Sequence, residues 1–232
     1  MTYVPGLGSG FPSTTAGDIT RTTRLWAQAS DYAPAGATVA SIYTTSLGID
    51  SAVAFINDGK AAAPALDSFA AGLAAAHDPA FTAHTVMLGH SYGSLVVGEA
   101  AVRWPGKLAD DLAFAGSPGV GVNKAAQLGV AADHVFAGEA GNDPVPDLPP
   151  LDPVEWFNDY SSHFGTDPAS SQFGARDFYV DPGRSVSLTD PIGAHSQYWD
   201  IGSASLKNLA RIVDAQYAAI RLVAPIPREP SR

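Results

Sequence analysis

Five residues, Gly89-His90-Ser91-Tyr92-Gly93, constrain this chain more than any others. They follow the apolar run Thr85–Leu88, which reads as a short buried strand. They precede Leu95–Trp104, which reads as a helix stopped by Pro105-Gly106. A chain that passes from strand to helix in so few residues must turn tightly. Glycines on both sides of Ser91 let the two elements approach closely, and the turn lifts the serine hydroxyl clear of the sheet. A plain Gly/Ser turn would use the same residues. The flanking strand and helix are what give the motif its weight.

The rest of the chain repeats this alternation of short apolar runs and Ala-rich helical stretches. Thr2–Val4 reads as a first strand, ending in the turn Pro5-Gly6-Leu7-Gly8-Ser9-Gly10, and a helix is expected from Asp18 to about Ser30. Ala37–Tyr43 reads as a second strand and Ala61–Ala76 as a helix. Asp111–Ala115 and His134–Ala137 are further strands, Phe178–Val180 a last one, and Ser203–Leu222 a final helix. This pattern predicts an α/β fold: a doubly wound, mostly parallel sheet of about six strands with helices on both faces. Residues 148–174 are rich in Pro, Asp, Ser and aromatics, including Trp156, Phe157, Tyr160, Phe164 and Phe173. They read as a small cap-like insertion in a single domain of residues 1–232. Its aromatics fit an acyl pocket and a lid core equally well. The tail 224–232 carries three prolines and is expected to be flexible.

Composition narrows the chemistry. The formal net charge of -10 argues against a nucleic-acid partner and against docking on an anionic membrane. The absence of cysteine excludes disulfides, thiolate catalysis and Cys-ligated metals. No segment reads as a transmembrane span, and Met1–Gly10 lacks the basic and apolar regions of a signal peptide, so a cytoplasmic location is the default expectation. Gly6-x-Gly8-x-Gly10 has the wrong spacing for a dinucleotide site, and no His/Asp cluster has convincing metal spacing. No cofactor is therefore expected.

A serine hydroxyl needs a base. Where a strand–serine–helix turn is catalytic, the acid and then the histidine follow on loops beyond later strands. Asp143 lies in the loop after His134–Ala137, stiffened by Pro144, with Glu139 and Asp147 as nearby alternatives. Six histidines compete for the base. His77 reads as a helix-end residue, and His84 and His134 as structural residues at strand starts. His90 is too close to Ser91 to serve it and is expected to pack beside the turn, while His163 lies in the insertion. His195 follows the last strand and precedes the last helix, which is where a general base is expected. The backbone N–H of Tyr92, together with that of Leu7 or its neighbours Gly6 and Gly8, would receive an oxyanion.

The ordered set Tyr3-Val4-Pro5-Gly6, Gly89–Ser94, Leu112–Gly119, Asn142-Asp143-Pro144-Val145 and His195-Ser196-Gln197-Tyr198 resembles a little-characterised bacterial family of α/β-hydrolases. The resemblance runs from Thr2 to about Leu222. It implies a Ser–Asp–His hydrolase on Ser91, Asp143 and His195, on an α/β-hydrolase fold that lacks the first two strands. It supplies no substrate. The chain departs from the family at Thr45–Asp50, where members often carry an aromatic-glycine-tyrosine turn, so that wall of the pocket is expected to differ. The expected reaction is cleavage of a small-molecule or lipid-like carboxylic ester through an acyl-enzyme. Acyl transfer on the same triad, and a non-catalytic module on this fold, are the alternatives.

Overall fold

The computed structural model describes residues 1–6, 15–33, 38–43, 52–146 and 164–224, with side chains from residue 59 onward in the stretch that begins at 52. Its centre is a six-stranded sheet built from β1 (Thr2–Val4), β2 (Ser41–Ile42), β3 (Val86–His90), β4 (Asp111–Ala115), β5 (Val135–Gly138) and β6 (Arg176–Asp177). The spatial order is β2-β1-β3-β4-β5-β6, and every pairing is parallel. Every residue of β3, β4 and β5 is buried, as parallel strands covered on both faces must be.

The period of two along the strands sorts the core into two layers. Met87, Leu112, Phe114, Val135 and Ala137 face one layer, shared with Leu66 of α2 (Ala52–Ala76) and with Leu95, Val96 and Ala100 of α3 (Gly93–Arg103). Val86, Leu88, Ala113, Ala115 and Phe136 face the other, packed by Leu25 and Ala29 of α1 (Thr15–Tyr32) and by Leu206, Leu209 and Ile212 of α4 (Ala204–Val213). The sheet is doubly wound, as the alternation predicted. Among the described residues no helix is long and apolar enough to cross a membrane.

Several element boundaries differ from the sequence reading. Helix α2 begins at Ala52 rather than Ala61, so Pro64 lies inside it. Strand β6 is Arg176–Asp177 rather than Phe178–Val180, because Phe178 leaves the parallel ladder for an antiparallel bridge to Leu222. Helix α4 stops at Val213 instead of Leu222. Ala215 takes φ 53°, and the chain turns back so that Asn208 can bond to Tyr179 and Arg221. In the expected insertion, Phe164 and Phe173 join the α2–α3 core, and the backbone of this segment bonds to Gly121 and Ala125. These two aromatics form core, not pocket. Trp156, Phe157, Tyr160 and most of the insertion lie outside the described residues, as does the tail from 225.

At the amino end of β4, the opposite end of the sheet from Ser91, Asp111 is fully buried and gathers three partners. His134 Nδ1 lies 2.6 Å from Oδ1; the Tyr217 hydroxyl and His84 Nε2 lie 2.8 and 3.0 Å from Oδ2. Burial pushes the Asp111 carboxyl up, but bonds from His84, His134 and Tyr217 outweigh it and hold the group below its ordinary 3.8. The Asp111 bond raises His84 above its ordinary 6.5. Stability from Asp111 is therefore present above pH 3.8 and lost as pH falls through its lowered pKa. Stability from His84 is complete below pH 6.5 and lost as pH rises through its raised pKa. Asp111→Asn should cost about 2–3 kcal/mol. The difference in Tm between wild type and this variant should be widest between about pH 4 and 6.5 and should narrow on both sides. A difference that stays constant from pH 3 to 9 would contradict the assignment.

Candidate active site

The sheet order reverses between β1 and β3, whose connections run to opposite sides. In open α/β sheets that crevice at the carboxyl ends is where ligands bind. Ser91 stands there, directly after β3. Its φ of 55° places a non-glycine residue in the left-handed region, the strain expected of a nucleophile at a sharp strand-to-helix turn. The turn is closed by Ser91 N–H donating to Ala115 C=O at 3.1 Å and by Ser94 N–H donating back to Ser91 C=O at 3.0 Å.

The glycines around Ser91 are required by close approach. A Cβ on Gly89 would lie 2.6 Å from Ser94 Cα; one on Gly93 would run into the Val4 carbonyl oxygen and lie 2.5 Å from that of Pro5. Helix α3 can pack onto the end of β1 only without that atom. Gly93→Ala is therefore expected to destabilise the fold by about 3 kcal/mol or more, read as a lowered midpoint in urea. A midpoint within experimental error of wild type would show that the turn can open without loss. Gly6 is constrained from the other side: a Cβ there would lie 2.7 Å from Ser91 Cβ and 3.0 Å from its Oγ. Gly6 thus lies directly against Ser91. Leu7 and Gly8 lie outside the described residues.

Asp143 and His195 meet as the topology requires. Asp143 follows β5, and His195 lies in a 3-10 segment, Gly193–Trp199, that leads to α4. His195 Nδ1 donates to Asp143 Oδ2 at 2.7 Å, and both residues are buried. The same carboxylate accepts from the Tyr198 hydroxyl, also at 2.7 Å and on Oδ2, and from Val145 N–H at 2.9 Å on Oδ1. Burial, then the adjacent Asp143 charge, pushes the Tyr198 phenol far up, so it remains a donor. Tyr198 was missed by sequence reasoning as a site residue. Its signal was the spacing His195-x-x-Tyr198, which puts both side chains on one side of a 3-10 turn with three residues per turn.

His90 packs beside the turn, as expected, and more closely than its position suggested. Its ring stacks on that of His195, with centroids 4.5 Å apart and planes 30° apart. This stack brings His195 to the residue next to Ser91. The other histidines stand elsewhere: His77 bonds to Phe81 at the end of α2, His84 and His134 attend Asp111, and His163 lies outside the described residues, as does Asp147. A surface cavity of about 320 Å³ is lined by Ala194, Arg184 and Tyr198 among others; Ser91 does not line it.

The profile of a family described as alpha/beta hydrolase matches residues 2–153. The chain belongs to that family. The matched segment holds Ser91 and Asp143 and ends before His195. Two relatives from Mycobacterium tuberculosis are 30% identical to it over 150 residues: the uncharacterized protein MT2140 of strain CDC 1551 / Oshkosh and the uncharacterized protein Rv2079 of strain H37Rv. The alignment takes in 59% of this chain but 22% of each relative, so the chain spans about a fifth of the length of the curated relatives it matches. No solved structure matches it.

Proposed function

We propose that this α/β-hydrolase is a serine hydrolase that cleaves carboxylic esters through an acyl-enzyme. The observation that carries the reading is the buried Asp143–His195 hydrogen bond of 2.7 Å, stacked against the residue that precedes a serine at φ 55°. With its Nδ1–H donated to Asp143, His195 has Nε2 left as the nitrogen that can accept a proton.

In this mechanism Ser91 Oγ attacks the ester carbonyl while His195 Nε2 takes the hydroxyl proton. Asp143 holds the tautomer and stabilises the imidazolium. The tetrahedral oxyanion is received by the backbone N–H of Tyr92 and by a second N–H from the turn after β1, assigned to Leu7; the contact of Gly6 with Ser91 supports a role for that turn. His195 then protonates the leaving alcohol. Water, activated by the same nitrogen, releases the acid and restores Ser91. The substrate class is a small-molecule or lipid-like ester.

The test is a fluorophosphonate probe with mass mapping, run beside hydrolysis of short p-nitrophenyl esters. Wild type should turn over the esters and carry the probe on Ser91, and Ser91→Ala should do neither. Wild type that neither labels nor hydrolyses would remove the enzyme reading. A probe found on another serine would remove the site assignment.

A further inference from the structure

His90 makes two contacts with His195 that packing alone does not call for. Its Nε2 lies 3.0 Å from the His195 carbonyl oxygen. A carbonyl only accepts, so Nε2 carries the proton and Nδ1 is bare. That Nδ1 is buried and has no hydrogen-bond partner among the described residues. A phenylalanine would fill the same space without burying an unpaired nitrogen. What it could not supply is the N–H to His195.

The two contacts act on different freedoms of the base. Asp143 holds one corner of the His195 ring through Nδ1, which still leaves the ring free to tilt about that bond. The 4.5 Å stack fixes the ring plane, and the N–H to the carbonyl fixes the backbone from which the ring hangs. His90 is itself held from behind by the Trp199 ring, edge-on at 4.7 Å, and by Tyr198 at 5.9 Å. Because His90 precedes Ser91 in the chain, anything that fixes the base to His90 fixes it to the nucleophile turn.

We propose that His90 is a positioning residue: it sets the ring plane and backbone of His195 relative to Ser91 and offers a neutral aromatic face to the imidazolium. This rests on the Ser91–His195 reading above. The charged and titratable groups around His90 are His195 and Tyr198 from the 3-10 segment, with Asp143 bonded to both, and Arg21 of α1, which lies 5.6 Å from the Trp199 ring centroid. Burial, then His195, then Arg21, keeps the His90 imidazole neutral. The face it presents is therefore the negative face of a π system, which favours a cation.

Two variants separate the contacts. His90→Phe keeps an aromatic stack and loses the N–H; His90→Gln keeps an amide donor and loses the stack. Each should lower kcat for p-nitrophenyl ester hydrolysis about 10–100-fold with KM changed less than threefold. In His90→Gln the acidic limb of the kcat/KM profile should move to lower pH; in His90→Phe it should stay. The His195 ring resonances and its low-field Nδ1 proton, followed by NMR in the unliganded protein, should shift in both variants, while Tm of His90→Phe should equal or exceed that of wild type. Wild-type kcat and an unmoved limb in both variants would show His90 to be packing only. Unchanged His195 resonances in both would overturn the coupling of the two rings whatever the activity. A wild type without hydrolysis would instead overturn the Ser91 reading, and the NMR comparison would still decide whether His90 positions His195.

Discussion

Replacing Ser91 with glycine is expected to remove ester hydrolysis and, at the same time, to make the fold more stable. The loss of rate should be about 10⁴–10⁶-fold in kcat, since the nucleophile, base and acid act as one unit and removing the first leaves only binding and oxyanion stabilisation. The gain in stability comes from the backbone. At φ 55° a residue with a Cβ costs about 1–2 kcal/mol, which glycine does not; the greater freedom of glycine in the unfolded chain takes back about 0.5–1 kcal/mol. A net gain of about 0.5–1 kcal/mol in urea unfolding is the expected result. Ser91→Ala keeps the Cβ and the strain, so it should match glycine in lost activity and wild type in stability. If both variants unfold at the same urea concentration, the strain assigned to the turn is absent. If either retains activity within tenfold of wild type, Ser91 is not the nucleophile.

Asp143→Asn should have the second largest effect, a loss of about 10³–10⁴-fold in kcat with little change in KM. Oδ2 accepts from both His195 Nδ1 and Tyr198, while Oδ1 accepts from Val145 N–H. An asparagine has one acceptor and one donor end. Turned one way, its amide NH₂ faces two donors; turned the other way, it faces the Val145 N–H. The first orientation drives His195 to the tautomer with its proton on Nε2, where it can no longer accept one from Ser91. The second leaves the part-buried Val145 N–H without its acceptor, at a cost of about 1 kcal/mol. Steady-state kinetics with denaturant unfolding checks both parts. A kcat within tenfold of wild type would transfer the role of the acid to Glu139 or Asp147.

The parts of this protein that were legible in its sequence are those decided by neighbours in the chain. Buried apolar runs marked β1, β3, β4 and β5, because a parallel strand covered on both faces leaves no polar alternation to confuse the reading. The turn at Ser91 was legible because its glycines answer a local demand: Gly93 has no room for a Cβ against Val4, and Gly89 none against Ser94. Asp143 and His195 could be selected by chain order, each on the loop after a later strand.

Side chains that converge from distant elements were not legible. Tyr198 on Asp143 joins residues 55 apart, and Tyr217 on Asp111 joins residues 106 apart. Nothing in either neighbourhood announces its partner. The end of the last helix failed for the same reason. Residues 214–222 have helical composition, yet Asn208 and Asp111 draw this segment into a return turn, and tertiary bonds outweigh a propensity worth a few tenths of a kcal/mol per residue. His90 shows the division within a single residue. Its place beside Ser91 was set by sequence alone. That its ring lies flat on His195, with its one proton on the carbonyl of that residue, depends on a chain segment more than a hundred residues away. Only folding, which brings the carboxyl ends of β3, β5 and β6 to one edge of the sheet, puts the two histidines in contact.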